Sequence, residues 1–174
     1  MNEKNIKLYN VIFPIWMLWL FPQTWLVVLP ANFLVDLTVV ALTMKCLKVN
    51  GIKSNVKSTI FKVWGFGFLS DFIGTAAMFL LTMIEFDENT ALGRIWDGSS
   101  VTYGISFNPL DNVGAFLCVT LCVIITACFI YLFNYKVSFR KLEIETDQKK
   151  RLALSLAIFT APYLFYIPTN WFVK

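Results

Sequence analysis

The sequence predicts an all-α fold, a polytopic transmembrane helix bundle of about five spans with its N-terminus cytoplasmic and its C-terminus outside. Three observations predict it. Of 174 residues, 57% are hydrophobic and only 15% charged, whereas soluble domains carry about a quarter of their residues as charges. The apolar residues fall in runs long enough to cross a hydrocarbon core of about 30 Å. Thirteen of the 15 Lys and Arg fall on one side of a five-span arrangement.

The first apolar stretch covers 9–44. As one helix it would be about 54 Å long, so it is expected to fold back on itself. Pro30-Ala31-Asn32 is the expected hairpin apex, because a break at Pro22 would leave the first span too short. That places spans at about 9–29 and 31–47. A third is expected at about 59–85, a fourth at about 110–135 and a fifth at about 152–170, all within a single domain of residues 1–174. The first span reads as a retained anchor rather than a signal peptide: it is too long for an h-region, and no small-residue cleavage site follows. Pro14, Pro22 and Pro162 are expected to kink the helices that contain them.

Lys4 and Lys7 precede the first span. Lys45, Lys48, Lys53, Lys57 and Lys62 occupy the second connection, and Lys136, Arg140, Lys141, Lys149, Lys150 and Arg151 the fourth. Only Arg94 and Lys174 fall on the other side. Positive residues stay cytoplasmic, which orients the chain. Tyr9, Trp64, Tyr135 and Trp171 fit interfacial belts at the span ends. The polar stretch 87–108, with Trp96, Tyr103 and Phe107, is expected to lie against the outer face of the bundle. The protein is expected in the membrane, multi-pass, in a bacterial plasma membrane.

Polar and small residues recur at helical spacing inside the spans. Asn32, Asp36 and Thr43 lie within about 40° of one another on a helix of about 3.6 residues per turn. Gly67, Ser70, Asp71, Gly74 and Ala77 share a face of the third span. Asp111, Gly114, Ala115, Cys118, Cys122 and Thr126 do so in the fourth. Small residues let backbones approach, so Gly67, Gly74, Ala77, Gly114, Cys118 and Cys122 are the expected helix-packing positions. Asp111, behind Pro109, is expected to cap the fourth span.

Asp36 and Asp71 stand out, since a charged Asp at mid-bilayer costs about 2.5–3.5 kcal/mol on the insertion scale. No Lys or Arg shares their depth. They are expected either protonated and hydrogen-bonded, or ionised in a hydrated cavity. Measured from the outer ends of their spans, Asp36 lies about 9 Å and Asp71 about 21 Å deep, so two acids are expected at staggered depths. Asp36, Asp71, Asn32, Thr43 and Ser70 are the candidates for a transport pathway or polar network. As structural anchors they would each contribute only about 0.6–2 kcal/mol.

Several chemistries are excluded or weakened. With no His, Ser-His-Asp catalysis and His-ligated zinc or haem are impossible. The intramembrane aspartyl-protease element GxGD fails, because Gly65-Phe66-Gly67 is followed by Phe68. Cys118 and Cys122 could hold a soft metal only with a Met- or Cys-rich entry segment, which is missing. No phosphate-binding fingerprint is present. No catalytic residue, metal or cofactor is expected, and no nucleic-acid partner. The leading expectation is a small component for transport or ion permeation. The alternative is a non-catalytic membrane subunit or anchor, joined to partner proteins through the small-residue faces and the basic cytoplasmic loops. Expected partners are the lipid bilayer, a second copy or other membrane subunits, and a soluble partner or anionic lipid at the basic cytoplasmic loops.

Overall fold

In the computed structural model residues 22–87, 89–96 and 101–169 are described, with the side chains of 22–24 and 95 left aside. All regular structure among them is helical. The order is α1 (Pro22–Cys46), α2 (Ile52–Thr82), α3 (Ala91–Trp96), α4 (Val101–Phe107), α5 (Val113–Phe133) running on into a π turn (Asn134–Ser138), α6 (Thr146–Phe159) and a 3-10 turn (Tyr163–Tyr166). Three helices are long and apolar enough to cross a membrane: Trp25–Cys46, Ile52–Thr82 and Val113–Ser138.

The apex expected at Pro30 is not there. α1 passes straight through Pro30 for 25 residues. An interior proline costs about 3 kcal/mol, but a turn at that point would leave several backbone groups unpaired in hydrocarbon, at several kcal/mol each. Of the expected first span, 22–29 belong to α1 and 9–21 lie outside the described residues. The second connection is also shorter than expected, only 47–51, and Lys53, Lys57 and Lys62 ride on α2 instead. The chain reverses there through Lys48 (φ 52) and Gly51 (φ 67), both left-handed. At Gly51 the absent Cβ makes that conformation easy.

α1 and α2 are antiparallel, as are α2 and α5. Phe33 meets Phe61 across the first pair with ring centroids 5.8 Å apart, and Phe66 meets Phe133 across the second at 5.4 Å. Gln148, in the first turn of α6, donates its Nε2 to the Leu47 carbonyl at 3.0 Å. The two lysine-rich connections therefore meet at one end of the bundle, called here the basic end.

Two apolar cores stack along the bundle. At the basic end Val40, Met44, Val63, Ile130, Phe139, Leu152 and Leu156 are buried together. At the far end Met78, Val101, Ile105, Ala115, Val119 and Phe165 form the second core, and Ala127 borders both. Large apolar side chains also cover the outside, with Leu26 80% and Val113 77% exposed. Water does not tolerate so continuous an apolar surface, and lipid does. This is a membrane protein.

Residues 146–169 cross between the two ends by a broken path. α6 has 14 residues, about 21 Å, too short for a hydrocarbon core. It stops at Phe159, ahead of Pro162, which cannot donate and disfavours helix at Ala161. The 3-10 turn then carries Tyr166 to Thr120, hydroxyl to hydroxyl at 3.0 Å, and Thr169 to the Ser106 carbonyl at 3.4 Å. The expected helix over 152–170 is thus a short helix plus a turn, with residue 170 outside the described residues.

The stretch 87–108 is not an open loop. α4 packs on α5 and α2, with Val101, Gly104 and Ile105 buried, while Tyr103 stays exposed. Trp96 Nε1 donates to the Ile84 carbonyl at 3.1 Å and ties α3 to the end of α2. The cap of α5 is Asn112, not Asp111: the Asn112 carboxamide accepts from Ala115 N at 3.1 Å. Asp111 instead accepts from the Asn108 side chain. The Asp sits one residue too early for its carboxylate to serve the first turn of the helix.

Candidate functional site: two acids in the seam between α1 and α2

Asp36 is buried, 5% exposed, on the inner face of α1. Across the seam is Gly67 of α2: a methyl group built there would lie 3.5 Å from Asp36 Oδ2. The carboxyl therefore rests against the α2 backbone at the one place in this turn where no side chain stands between. Asp71 lies one helical turn further along α2, half-buried. Its Oδ1 is buried and has no hydrogen-bond partner among the described residues.

The offset expected from sequence persists, in the opposite order. With α1 unbroken, depth runs from the shared basic end, placing Asp36 about 15 Å along α1 and Asp71 about 28 Å along α2. Helical side chains tilt toward the N-terminus of their own helix. In an antiparallel pair, Asp36 leans toward the far end and Asp71 toward the basic end, which narrows the offset.

Among the described residues no cation pairs with either acid; the ion pair is Arg151–Asp147, exposed on α6. Around the acids the seam is closed by aromatic and amide contacts. Phe33 packs edge-on against Trp64 at 6.1 Å, and Trp64 Nε1 donates to the Leu29 carbonyl at 3.1 Å. On the same face of α2 as Asp71, Thr75 Oγ1 is a second buried polar atom without a partner.

The other residues singled out by sequence divide by face. Ser70 is fully buried, away from the acids, and donates its hydroxyl to the Phe66 carbonyl at 2.7 Å. Asn32 and Thr43 are half-buried along α1, flanking Asp36 without a contact to it. Gly74 faces α5: a methyl group there would collide with the Thr126 hydroxyl and crowd the Phe165 ring at 3.2 Å. Gly114 abuts Val101 of α4, and Ala77 and Cys118 flank the far core, which contains Cys122. The small-residue stripes are used inside the chain.

No family model, characterised protein or solved structure matches the chain. The chemistry of the site has to be argued from its residues alone.

Sequence reasoning passed over Asn134 and Ser138. Both are buried in the π turn, and Asn134 Oδ1 and Ser138 Oγ have no partner there. The signal was present: an Asn at the end of an apolar run with a Ser four residues on. A π turn was not expected there; the four-residue spacing is what puts both side chains on one face.

Proposed function

We propose that this chain is a multi-pass membrane protein with its basic end cytoplasmic, the unbroken α1 replacing the two spans expected over 9–47, and that it moves protons or a monovalent cation through the bilayer using Asp36 and Asp71. The observation that carries the reading is a buried Asp36 carboxyl against Gly67 in the α1–α2 seam, with Asp71 Oδ1 one turn further along α2 buried and unpartnered among the described residues. An ionised carboxylate in such apolar surroundings does not persist without a counter-charge. A proton on each acid, or a small cation passing between them, supplies it. Either species is the kind a membrane carrier binds and releases.

For the alternative reading, a non-catalytic subunit, the small-residue faces pack α2 on α5 and α5 on α4, which leaves the basic connections as its surface for a partner. Exposed Leu26, Val27, Leu34 and Leu42 on α1 remain available to lipid or to a second copy, and the carrier is proposed to work either alone or as such an assembly.

The test is flux in proteoliposomes with Asp71→Asn and Asp36→Asn. Asn keeps shape and hydrogen bonding but removes the titratable proton. Loss of cation or proton flux in variants that still fold supports the proposal. Flux unchanged by both substitutions, or absent from the parent protein, overturns it and leaves the acids as packing anchors.

A further inference from the structure

A second feature lies on the opposite side of the α1–α2 pair from the far core. Leu29, Pro30, Phe33, Leu34, Phe61 and Trp64 line an open groove of about 450 Å³ whose walls are almost wholly apolar. Pro30 contributes to it directly, since a proline ring offers the groove a surface without a donor. The groove is rigid: Trp64 is fixed by its bond to the Leu29 carbonyl and by the Phe33 ring.

Between Asp36 and Asp71 the chain has five lysines and no acid. On α2, Lys53, Lys57, Phe61, Trp64 and Phe68 fall within about 40° of one line at about 100° per residue. Both lysines are exposed and lie toward the basic end from the groove. Lys57 is about 6 Å along the axis from Phe61, within reach of a four-carbon stem that runs along apolar surface and leaves its ammonium at the headgroups.

We infer that this groove and its lysines form a binding site for an anionic phospholipid, with one acyl chain between Phe33, Phe61 and Trp64 and the phosphate at Lys57 and Lys53. A cationic head above an apolar slot matches the two ends of such a lipid in order and in spacing. A neutral lipid would fill the slot but leave the lysines unused. The site rests on the membrane reading and is independent of the acid pair.

The experiment reconstitutes the full chain in phosphatidylcholine vesicles. Brominated phosphatidylglycerol or brominated phosphatidylcholine is then titrated in as a fluorescence quencher, and the difference between the parent and Trp64→Phe isolates position 64. The expected result is preferential quenching of Trp64 by the anionic lipid. Lys57→Gln should reduce that preference about five-fold, the effect of one lysine near a charged surface. Lys62→Gln, about 140° away around the helix, should leave it unchanged and so controls for nonspecific charge loss. Equal quenching by the two lipids, a preference untouched by Lys57→Gln and Lys53→Gln, or no quenching of Trp64 by either lipid would overturn the inference.

Discussion

Gln148 Nε2 donates to the Leu47 carbonyl at 3.0 Å, across 101 residues of chain. The same side chain uses its Oε1 to accept from Glu145 N at 3.1 Å, closing the capping box of α6. One residue thus starts α6 and ties its basic connection to that of α1 and α2.

The two roles are separable. Gln148→Glu keeps the acceptor of the capping box and loses the donor to Leu47, whereas Gln148→Ala loses both. A hydrogen bond contributes about 0.5–1.5 kcal/mol and a cap about 1 kcal/mol. Denaturation in mild detergent is expected to rank the parent above Gln148→Glu and Gln148→Glu above Gln148→Ala. Equal stability of all three would show that the bond to Leu47 contributes nothing.

Gly74 is where α2 and α5 approach too closely for a side chain. Gly74→Ala must displace Thr126, whose hydroxyl is held by the Cys122 carbonyl at 2.9 Å, and such overpacking costs about 1–3 kcal/mol. Thr126→Ala made in the same chain should recover part of the loss. A double-mutant cycle on thermal unfolding would measure this coupling, and strictly additive effects would contradict the contact.

Asn112, and not Asp111, caps α5. Asn112→Ala is expected to cost about 1 kcal/mol of stability, and Asp111→Ala no more than a few tenths. The reverse order in an unfolding measurement would restore Asp111 as the cap.

Ser138 gives an opposite sign. Its hydroxyl is 1% exposed and has no partner, and a buried polar group left unsatisfied costs about 1–3 kcal/mol. Ser138→Ala is therefore expected to leave stability unchanged or to raise it. A loss of more than about 1 kcal/mol would mean that a bound water satisfies the hydroxyl.

Composition and the lysine pattern were enough to identify the membrane as solvent, and the basic residues at 45–62 and 136–151 were correctly assigned to a common side. Helical spacing put Gly67 and Gly74 on one stripe of α2, and the structure sets Gly67 against Asp36 and Gly74 against Thr126. Proline was misread in both directions. Pro30 looked like a turn because its local cost is visible in the sequence, while the larger cost of opening backbone to lipid is not. Pro162 looked like a kink and instead ends α6, because the far core accepts Phe165 from a 3-10 turn as readily as from a helix. That Asp36 would face Gly67 was also hidden: it depends on the register of α1 against α2, where Phe33 packs on Phe61 and Trp64, and not on either stripe alone. Nothing in the local pattern announces a π turn at Asn134.

Everything proposed for the acids and for the lipid groove requires the connections at 47–51 and 139–145 to lie on one side of a bilayer, with the end of α2 on the other. In a chain whose native cysteines are replaced, Lys48→Cys, Lys149→Cys and Asn89→Cys can each be probed in sealed vesicles with a membrane-impermeant thiol reagent. The account predicts that positions 48 and 149 react from the same face and position 89 only from the opposite one. Labelling of 48 and 149 from opposite faces would contradict it.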